Sequence, residues 1–157
     1  MGPVLDRQGL LVQRAQWKQQ GLTVVFTNGC YDLLHPGHLR LLELARELGD
    51  RLIVGINSDD GVRRLKGPQR PILPETERAE LLASLAAVDA VTIFDEETPA
   101  ELLAMLQPDI LVKGADWAHW IAGRDVVEAA GGKVLALPVE PEFSTTDLVR
   151  RILELND

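Results

Sequence analysis

Short apolar runs rich in β-branched residues alternate with segments of helical period along the 157-residue chain, and this alternation predicts an α/β fold. The runs are continuously apolar rather than alternating, which is the mark of parallel strands covered on both faces. Strands joined through helices require right-handed crossovers, and these pair the strands in parallel. The predicted architecture is a Rossmann-like, doubly wound, parallel five-stranded sheet flanked by helices. The length suits a single domain over residues 1–157, with a core large enough to need no covalent staple.

Residues 1–22 form a leading helical segment, with a helix predicted over 4–20 whose apolar members are Leu5, Leu11, Val12 and Trp17. Residues 23–28 read as a buried strand. Leu41, Leu44, Ala45 and Leu48 recur at helical spacing over 37–48, with Pro36 near the first turn and Gly49-Asp50 as the stop. A second strand covers 51–56, and Gly61 with Lys66-Gly67-Pro68 marks a loop. A helix over 75–85 leads to a third strand over 90–94. A helix over 99–106 ends before Pro108, and a fourth strand covers 109–113. A helix around 126–130 is halted by Gly131-Gly132, followed by a fifth strand over 133–138 and a closing helix over 145–155.

Sixteen Lys and Arg against 24 Asp and Glu leave a net charge of −8, which speaks against a nucleic-acid partner gripped through its phosphates. The lone cysteine, Cys30, has no partner for an intramolecular disulfide, and no Cys cluster has zinc spacing. No apolar run is long enough to cross a bilayer, and residues 1–22 do not resemble a signal peptide. The expectation is a cytoplasmic chain with no membrane partner.

Ligands on doubly wound sheets bind beyond the carboxyl ends of the strands, at the point where strand order reverses. Neither G-x-G-x-x-G nor a P-loop occurs here. The first strand runs instead into Thr27-Asn-Gly-Cys-Tyr-Asp32 and His35-Pro-Gly-His38. Two histidines almost one helical turn apart at a strand-to-helix junction can face the same ligand, and a helix start favours phosphate. The same pair also serves as a cap or as surface decoration in many helices. Arg63, Arg64, Lys66 and Arg70 place four cations within eight residues, a pattern shared by solvated patches and triphosphate clamps. Arg78 lies in the first turns of the next helix, within reach of Glu75. Lys113-Gly114 with Asp116 leaves the fourth strand, where a turn alone would also suit it. Ser144-Thr-Thr146 is a strong N-cap whose hydroxyls and amides also suit a phosphate chain. Asp59 and Asp89 are candidates for supporting carboxylates. Cys30 has no cationic neighbour in sequence, which reads as packing, and Trp17 reads as core.

These blocks, with Ile121-Ala-Gly123 and in this order, resemble the His-x-Gly-His nucleotidyltransferase superfamily and, within it, the adenylyltransferase domains of ADP-heptose synthases. The likeness runs from about Leu5 to Leu153. It implies that His35, His38 and Lys66 are catalytic, stabilising phosphates during transfer. It implies a nucleotide site of Thr27, Asn28, Gly29, Tyr31, Lys113, Gly114, Asp116, Ser144, Thr145 and Thr146. Asp32, Arg70 and Arg78 would bind the acceptor, Asp32 through hydroxyls or by holding its loop. The substrates would be ATP and a sugar 1-phosphate, D-glycero-β-D-manno-heptose 1-phosphate, giving ADP-heptose and pyrophosphate for cell-surface polysaccharide such as lipopolysaccharide. Mg²⁺ would be held mainly by the substrate phosphates, with no protein metal site, and the protein would be a homodimer. Since relatives are often fused to a sugar kinase, a free-standing chain implies a separate kinase.

Two departures bear on the acceptor. Ala115 and Trp117 stand where the family has a second Gly and often Tyr, and the following segment through Trp120 is short. Some cytidylyl-transferring relatives carry Arg shortly before Ser-Thr-Thr; here residues 139–143 contain none, which argues against cytidylyl transfer. The alternatives are cytidylyl or adenylyl transfer to glycerol 3-phosphate or pantetheine phosphate, or a nucleotide-binding regulator without turnover.

Overall fold

A computed structural model describes residues 1–156 of the chain, apart from the side chain of Trp117; that side chain, part of the altered segment, lies outside the described residues. Five strands, β1 (Val24–Gly29), β2 (Arg51–Asn57), β3 (Ala90–Phe94), β4 (Ile110–Gly114) and β5 (Lys133–Leu137), form one sheet in the order β3-β2-β1-β4-β5. Every pairing is parallel. Between and around the strands lie α1 (Arg7–Gln19), α2 (Pro36–Glu47), α3 (Asp59–Lys66), α4 (Glu75–Ala83), α5 (Ala100–Leu106), α6 (Arg124–Ala129) and α7 (Thr145–Glu154). The Rossmann-like, doubly wound sheet expected from the sequence is present. Strand order reverses between β1 and β4, so the crevice lies beyond their carboxyl ends.

Alternation along each strand explains the continuous apolar runs. Val24 and Phe26 enter one core cluster with Leu10, Trp17, Leu102 and Leu103, while Val25 between them enters the other with Leu42, Leu52, Ala79 and Leu82. Both faces of the sheet are therefore buried under helices.

Three differences from the sequence expectation have physical causes. First, α1 begins at Arg7 because Asp6 caps it, accepting from the Gly9 amide at 2.7 Å, and Val4 instead bridges to Val91. Leu10 is fully buried in this helix beside Trp17, whereas Val12 faces solvent. Second, the expected loop over residues 59–66 is helix α3. Ser58 caps it, accepting from the Gly61 amide at 3.0 Å, with Asp59 and Asp60 in the first turn and Arg63, Arg64 and Lys66 in the last. That charge order complements the helix dipole and offsets the roughly 1 kcal/mol helix cost of an internal glycine. Third, α6 starts early, at Arg124. Gly123 before it takes φ of 87°, and a Cβ there would meet Leu103 at 2.4 Å, so only glycine fits.

Candidate active site

The start of α2 carries the two histidines. His35 is the N-cap, in extended conformation, and Pro36 pre-sets the first turn. The His35 backbone N–H donates to Nδ1 of His38 at 3.2 Å, and the two rings stack with centroids 3.7 Å apart at 21°. An Nδ1 that accepts leaves the neutral ring's proton on Nε2, so His38 is set up as a hydrogen-bond donor. Burial, helped by the neighbouring His35 and Lys66, pushes the His38 imidazole down to about 4, so it is neutral at physiological pH. Burial also lowers His35, whose Nδ1 is buried without a hydrogen-bond partner among the described residues. A buried polar atom that folding leaves unsatisfied points to a functional group.

The segment before α2 aims these rings. Tyr31 adopts φ of 49°, unusual for a residue with a side chain, and its ring lies 5.3 Å from that of His38. Its phenol is buried, and burial pushes it up to about 12. The Thr27 hydroxyl donates to the Val112 carbonyl at 2.8 Å, tying β1 to β4 at the crevice floor. Lys113 crosses the same seam, donating from Nζ to the Asn28 carbonyl at 2.9 Å, and burial lowers its pKa. Beyond Lys113, Gly114 leaves no room for a side chain, since a Cβ would meet Asp116 and Val139 at 2.6 Å each.

From the other side, α7 brings its N-terminus to the crevice. Ser144 caps it, accepting from the Asp147 amide at 3.0 Å, and Thr145 donates to the Leu33 carbonyl at 3.2 Å, which joins α7 to the histidine loop. Two helix starts therefore converge on one space, an arrangement that favours anions.

That space consists of two adjoining cavities of about 360 and 550 Å³. They share Asn28, Gly29, Cys30, Tyr31, His38, Lys66, Lys113 and Thr145 along their common boundary. The larger extends over His35, Gly114, Asp116 and Ser144 to Thr146; the smaller extends over Asp32, Asn57 and Arg70. Thr27, Gly114, Asp116, Ser144 and Thr146 of the nucleotide set line the larger cavity alone, Asp32 and Arg70 of the acceptor set line the smaller alone, and Asn28, Gly29, Tyr31, Lys113 and Thr145 lie on the boundary with His38 and Lys66. The described residues contain no group of three His, Cys, Asp or Glu able to hold a metal ion.

Several sequence assignments need correction. Arg78 cannot bind substrate, because its side chain has no exposed surface. Its guanidinium donates to the carbonyls of Leu73 (2.9 Å), Cys30 (2.7 Å) and Asn57 (2.9 Å) and pairs with Asp59 at 2.8 Å. Glu75 takes no part; it accepts from the Asp59 amide. Asp32, 4% exposed, accepts from the amides of Ile72 and Leu73 and faces Arg70 at 3.8 Å, so it holds the loop rather than presenting a free carboxylate. Asp89 sits at the far end of the sheet, accepting from Leu52 N and pairing with Arg46. Lys66 lies on the last turn of α3, not on an open loop. Cys30 does have cationic neighbours, since Lys66, Arg78 and Lys113 all lower its pKa, although burial outweighs them and raises it.

Sequence reasoning missed Glu97 and Thr98, which line the smaller cavity, whereas Trp120, at the end of the altered segment that the sequence linked to the acceptor, lines it as well. The rule that ligands sit at strand ends reaches the first two, directly after β3, but no motif marked them. It also missed Phe143, stacked 6.2 Å from His35 and covered by Arg40 at 5.0 Å.

Comparison with known proteins completes the picture. The cytidylyltransferase-like family model matches residues 26–151. The chain is 52% identical over 150 residues to the bifunctional protein HldE of Acidiphilium cryptum, covering 95% of this chain and 31% of that protein. It is 53% identical over 149 residues to HldE of Bradyrhizobium diazoefficiens, covering 94% and 30%. The chain thus spans about a third of the length of these relatives. Among solved structures, the lipopolysaccharide core biosynthesis protein of Thermoplasma volcanium superposes with a TM-score of 0.63 at 27% identity, covering 76% of this chain and 98% of that one. Pantothenate synthetase of Thermus thermophilus shares the fold alone, with a TM-score of 0.61 at 20% identity, covering 88% and 62%. Since the matching span runs from inside β1 into α7 and takes in the whole histidine loop, the chain belongs to the cytidylyltransferase-like family and is a nucleotidyltransferase domain.

Proposed function

We propose that this domain transfers the adenylyl group of ATP to a sugar 1-phosphate, D-glycero-β-D-manno-heptose 1-phosphate, releasing pyrophosphate and forming ADP-heptose. The observation that carries this reading is the pair of cavities meeting at His38 and Lys66. The larger suits the nucleotide, with two helix starts for its phosphates; the smaller suits the acceptor. The likeness to HldE and to a lipopolysaccharide core biosynthesis protein supports a sugar phosphate acceptor.

An oxygen of the sugar phosphate attacks the α-phosphorus, the bond from that phosphorus to the bridging oxygen breaks, and pyrophosphate leaves. The attacking oxygen is already anionic, so no general base is required. Catalysis is positioning plus stabilisation of charge at the crowded phosphorus. His38 donates from Nε2 as a neutral imidazole, and Lys66 supplies a cation at the boundary of the two cavities. Mg²⁺ enters as the magnesium complex of ATP, which makes it part of the substrate, coordinated mainly by phosphate oxygens and water. Asp116 and Glu140 are the carboxylates that line the larger cavity.

A coupled pyrophosphate-release assay tests the reading with ATP or CTP against heptose 1-phosphate, glycerol 3-phosphate and pantetheine phosphate. A pocket built for one base rejects another through unpaired buried groups, by on the order of 10⁴-fold. ATP with heptose 1-phosphate is the expected pair. A preference for CTP, or turnover of glycerol 3-phosphate without any sugar 1-phosphate, overturns it. We also infer a homodimer. Exposed Ile152 and Leu153 on α7, a helix with no buried residue, support a self-association face. Sedimentation showing only monomer would remove that inference. No described helix is long and apolar enough to cross a membrane, which supports a cytoplasmic location.

A further inference from the structure

Three acidic residues follow β3, and two of them have structural partners. Asp95 accepts from the Ser58 hydroxyl at 2.5 Å, and Glu96 makes a two-pronged pair with Arg7 at 2.7 and 2.9 Å. Glu97 makes no hydrogen bond or ion pair with any described residue, yet it lines the smaller cavity. On the connection after β4, Trp120 lines the same cavity and keeps 59% of its surface exposed. An aromatic exposed at a cavity lining offers its face to a ligand in that cavity.

The two ends of this cavity differ in chemistry. Its shared end holds His38 and Lys66, donors suited to phosphate; Glu97 and Trp120 belong to the smaller cavity alone. A carboxylate repels phosphate and accepts from uncharged hydroxyl donors. Charge-assisted bonds from hydroxyls to a carboxylate are among the stronger polar contacts, and an aromatic face covers the apolar C–H side of a ring.

We propose that Glu97 and Trp120 form the subsite that takes the hydroxyl-bearing sugar ring, Glu97 accepting from its hydroxyls and Trp120 covering its apolar face, and so select a sugar 1-phosphate over a small phosphate ester. This rests on the function proposed above. Glu97→Gln removes the charge and keeps the shape; Trp120→Ala removes the platform, and Trp120→Phe returns part of it.

With ATP saturating, Glu97→Gln raises KM for heptose 1-phosphate roughly 10-fold or more, the cost of a hydrogen bond to a charged group. Trp120→Ala raises it roughly 3- to 10-fold, and Trp120→Phe recovers most of that loss. KM for ATP stays within about 2-fold of wild type, on the order of ordinary surface substitutions. Trp120→Ala also narrows the preference for heptose 1-phosphate over glycerol 3-phosphate. If wild type turns over heptose 1-phosphate but both variants keep its KM, or raise the ATP KM equally, the subsite is overturned alone. If wild type does not act on heptose 1-phosphate, the proposed function falls and the subsite falls with it.

Discussion

His38 performs two tasks with two nitrogens, and substitution separates them. Nδ1 accepts the His35 backbone N–H at 3.2 Å and closes the first turn of α2; in the mechanism proposed above, Nε2 carries the proton offered to phosphate. His38→Ala removes both. Loss of a preorganised donor lowers kcat by on the order of 10²–10³-fold, equivalent to about 2.7–4 kcal/mol of transition-state stabilisation. Loss of the cap bond, long and only partly buried, costs about 1 kcal/mol of stability. For a chain of this size that is a fall in Tm of about 2–4 °C. The carbonyl of His38→Asn lies near the position of Nδ1, so that variant recovers the melting temperature but not turnover. The longer amide of His38→Gln reaches toward the position of Nε2, so it recovers part of the turnover but not the cap. Pyrophosphate release at saturating substrates and a thermal melt read the two effects on the same preparations. An Asn variant that turns over faster than the Gln variant refutes the assignment of the nitrogens. An Ala variant within about tenfold of wild type refutes the role of His38 as a donor altogether.

Lys66→Ala lowers kcat more than it raises the dissociation constant for ATP, because its contact matters most as charge redistributes; single-turnover rates and equilibrium binding separate the two, and an equal effect on both makes it a docking charge. Arg78→Met leaves three carbonyls and the Asp59 carboxylate without their fully buried partner, and denaturant titration should show a loss of about 3–5 kcal/mol; a loss below about 1 kcal/mol would show that water replaces the guanidinium. His38 titrates at about 4 in the fold against an ordinary 6.5, so the unfolded chain binds its proton first; its contribution to stability is complete above the ordinary value and is lost as pH falls through that window. Wild type should melt above His38→Gln near neutral pH, and that difference should shrink and then reverse as pH falls through the window. Glu96, held at about 2 by its hydrogen bonds from Arg7, contributes stability above its ordinary 4.5 that is lost as pH falls toward the lower value, and Arg7→Gln should flatten that part of the curve.

The sheet was legible because its signal is local and repeated. Val24, Val25 and Phe26 read as one apolar run, and their division between two core clusters is what period-2 geometry does to such a run. The histidine loop was legible because its parts are contiguous. Helix α3 was not, because Gly61 and the Gly67-Pro68 pair outweighed a better signal. Ser58 followed by two acids and then three bases is a capped, dipole-matched helix, and that polarity was the clue. Arg78 was beyond reach for a different reason. Its acceptors lie 5, 19, 21 and 48 residues away, and only the completed fold brings them around one guanidinium. The cationic surroundings of Cys30 arise in the same way, from segments that do not touch it in sequence.

The cations show how a fold sorts residues that composition treats alike. Arg63 pairs with Asp60 and Arg64 with Asp95, so both of their charges are spent on the surface of the acidic chain. Arg78 is committed to backbone carbonyls, and Arg70 leans toward Asp32. Of this segment, Lys66 alone lines both cavities, joined there by Lys113 from the opposite side of the seam. In a chain of net charge −8, carboxylates therefore pair with Arg63 and Arg64 outside the crevice, while two lysines and two helix starts face the seam of the two cavities. A charge count along the sequence overstates the phosphate clamp and misplaces it. What sets Lys66 apart is its position on the last turn of α3, where the helix ends at the boundary shared by the two cavities.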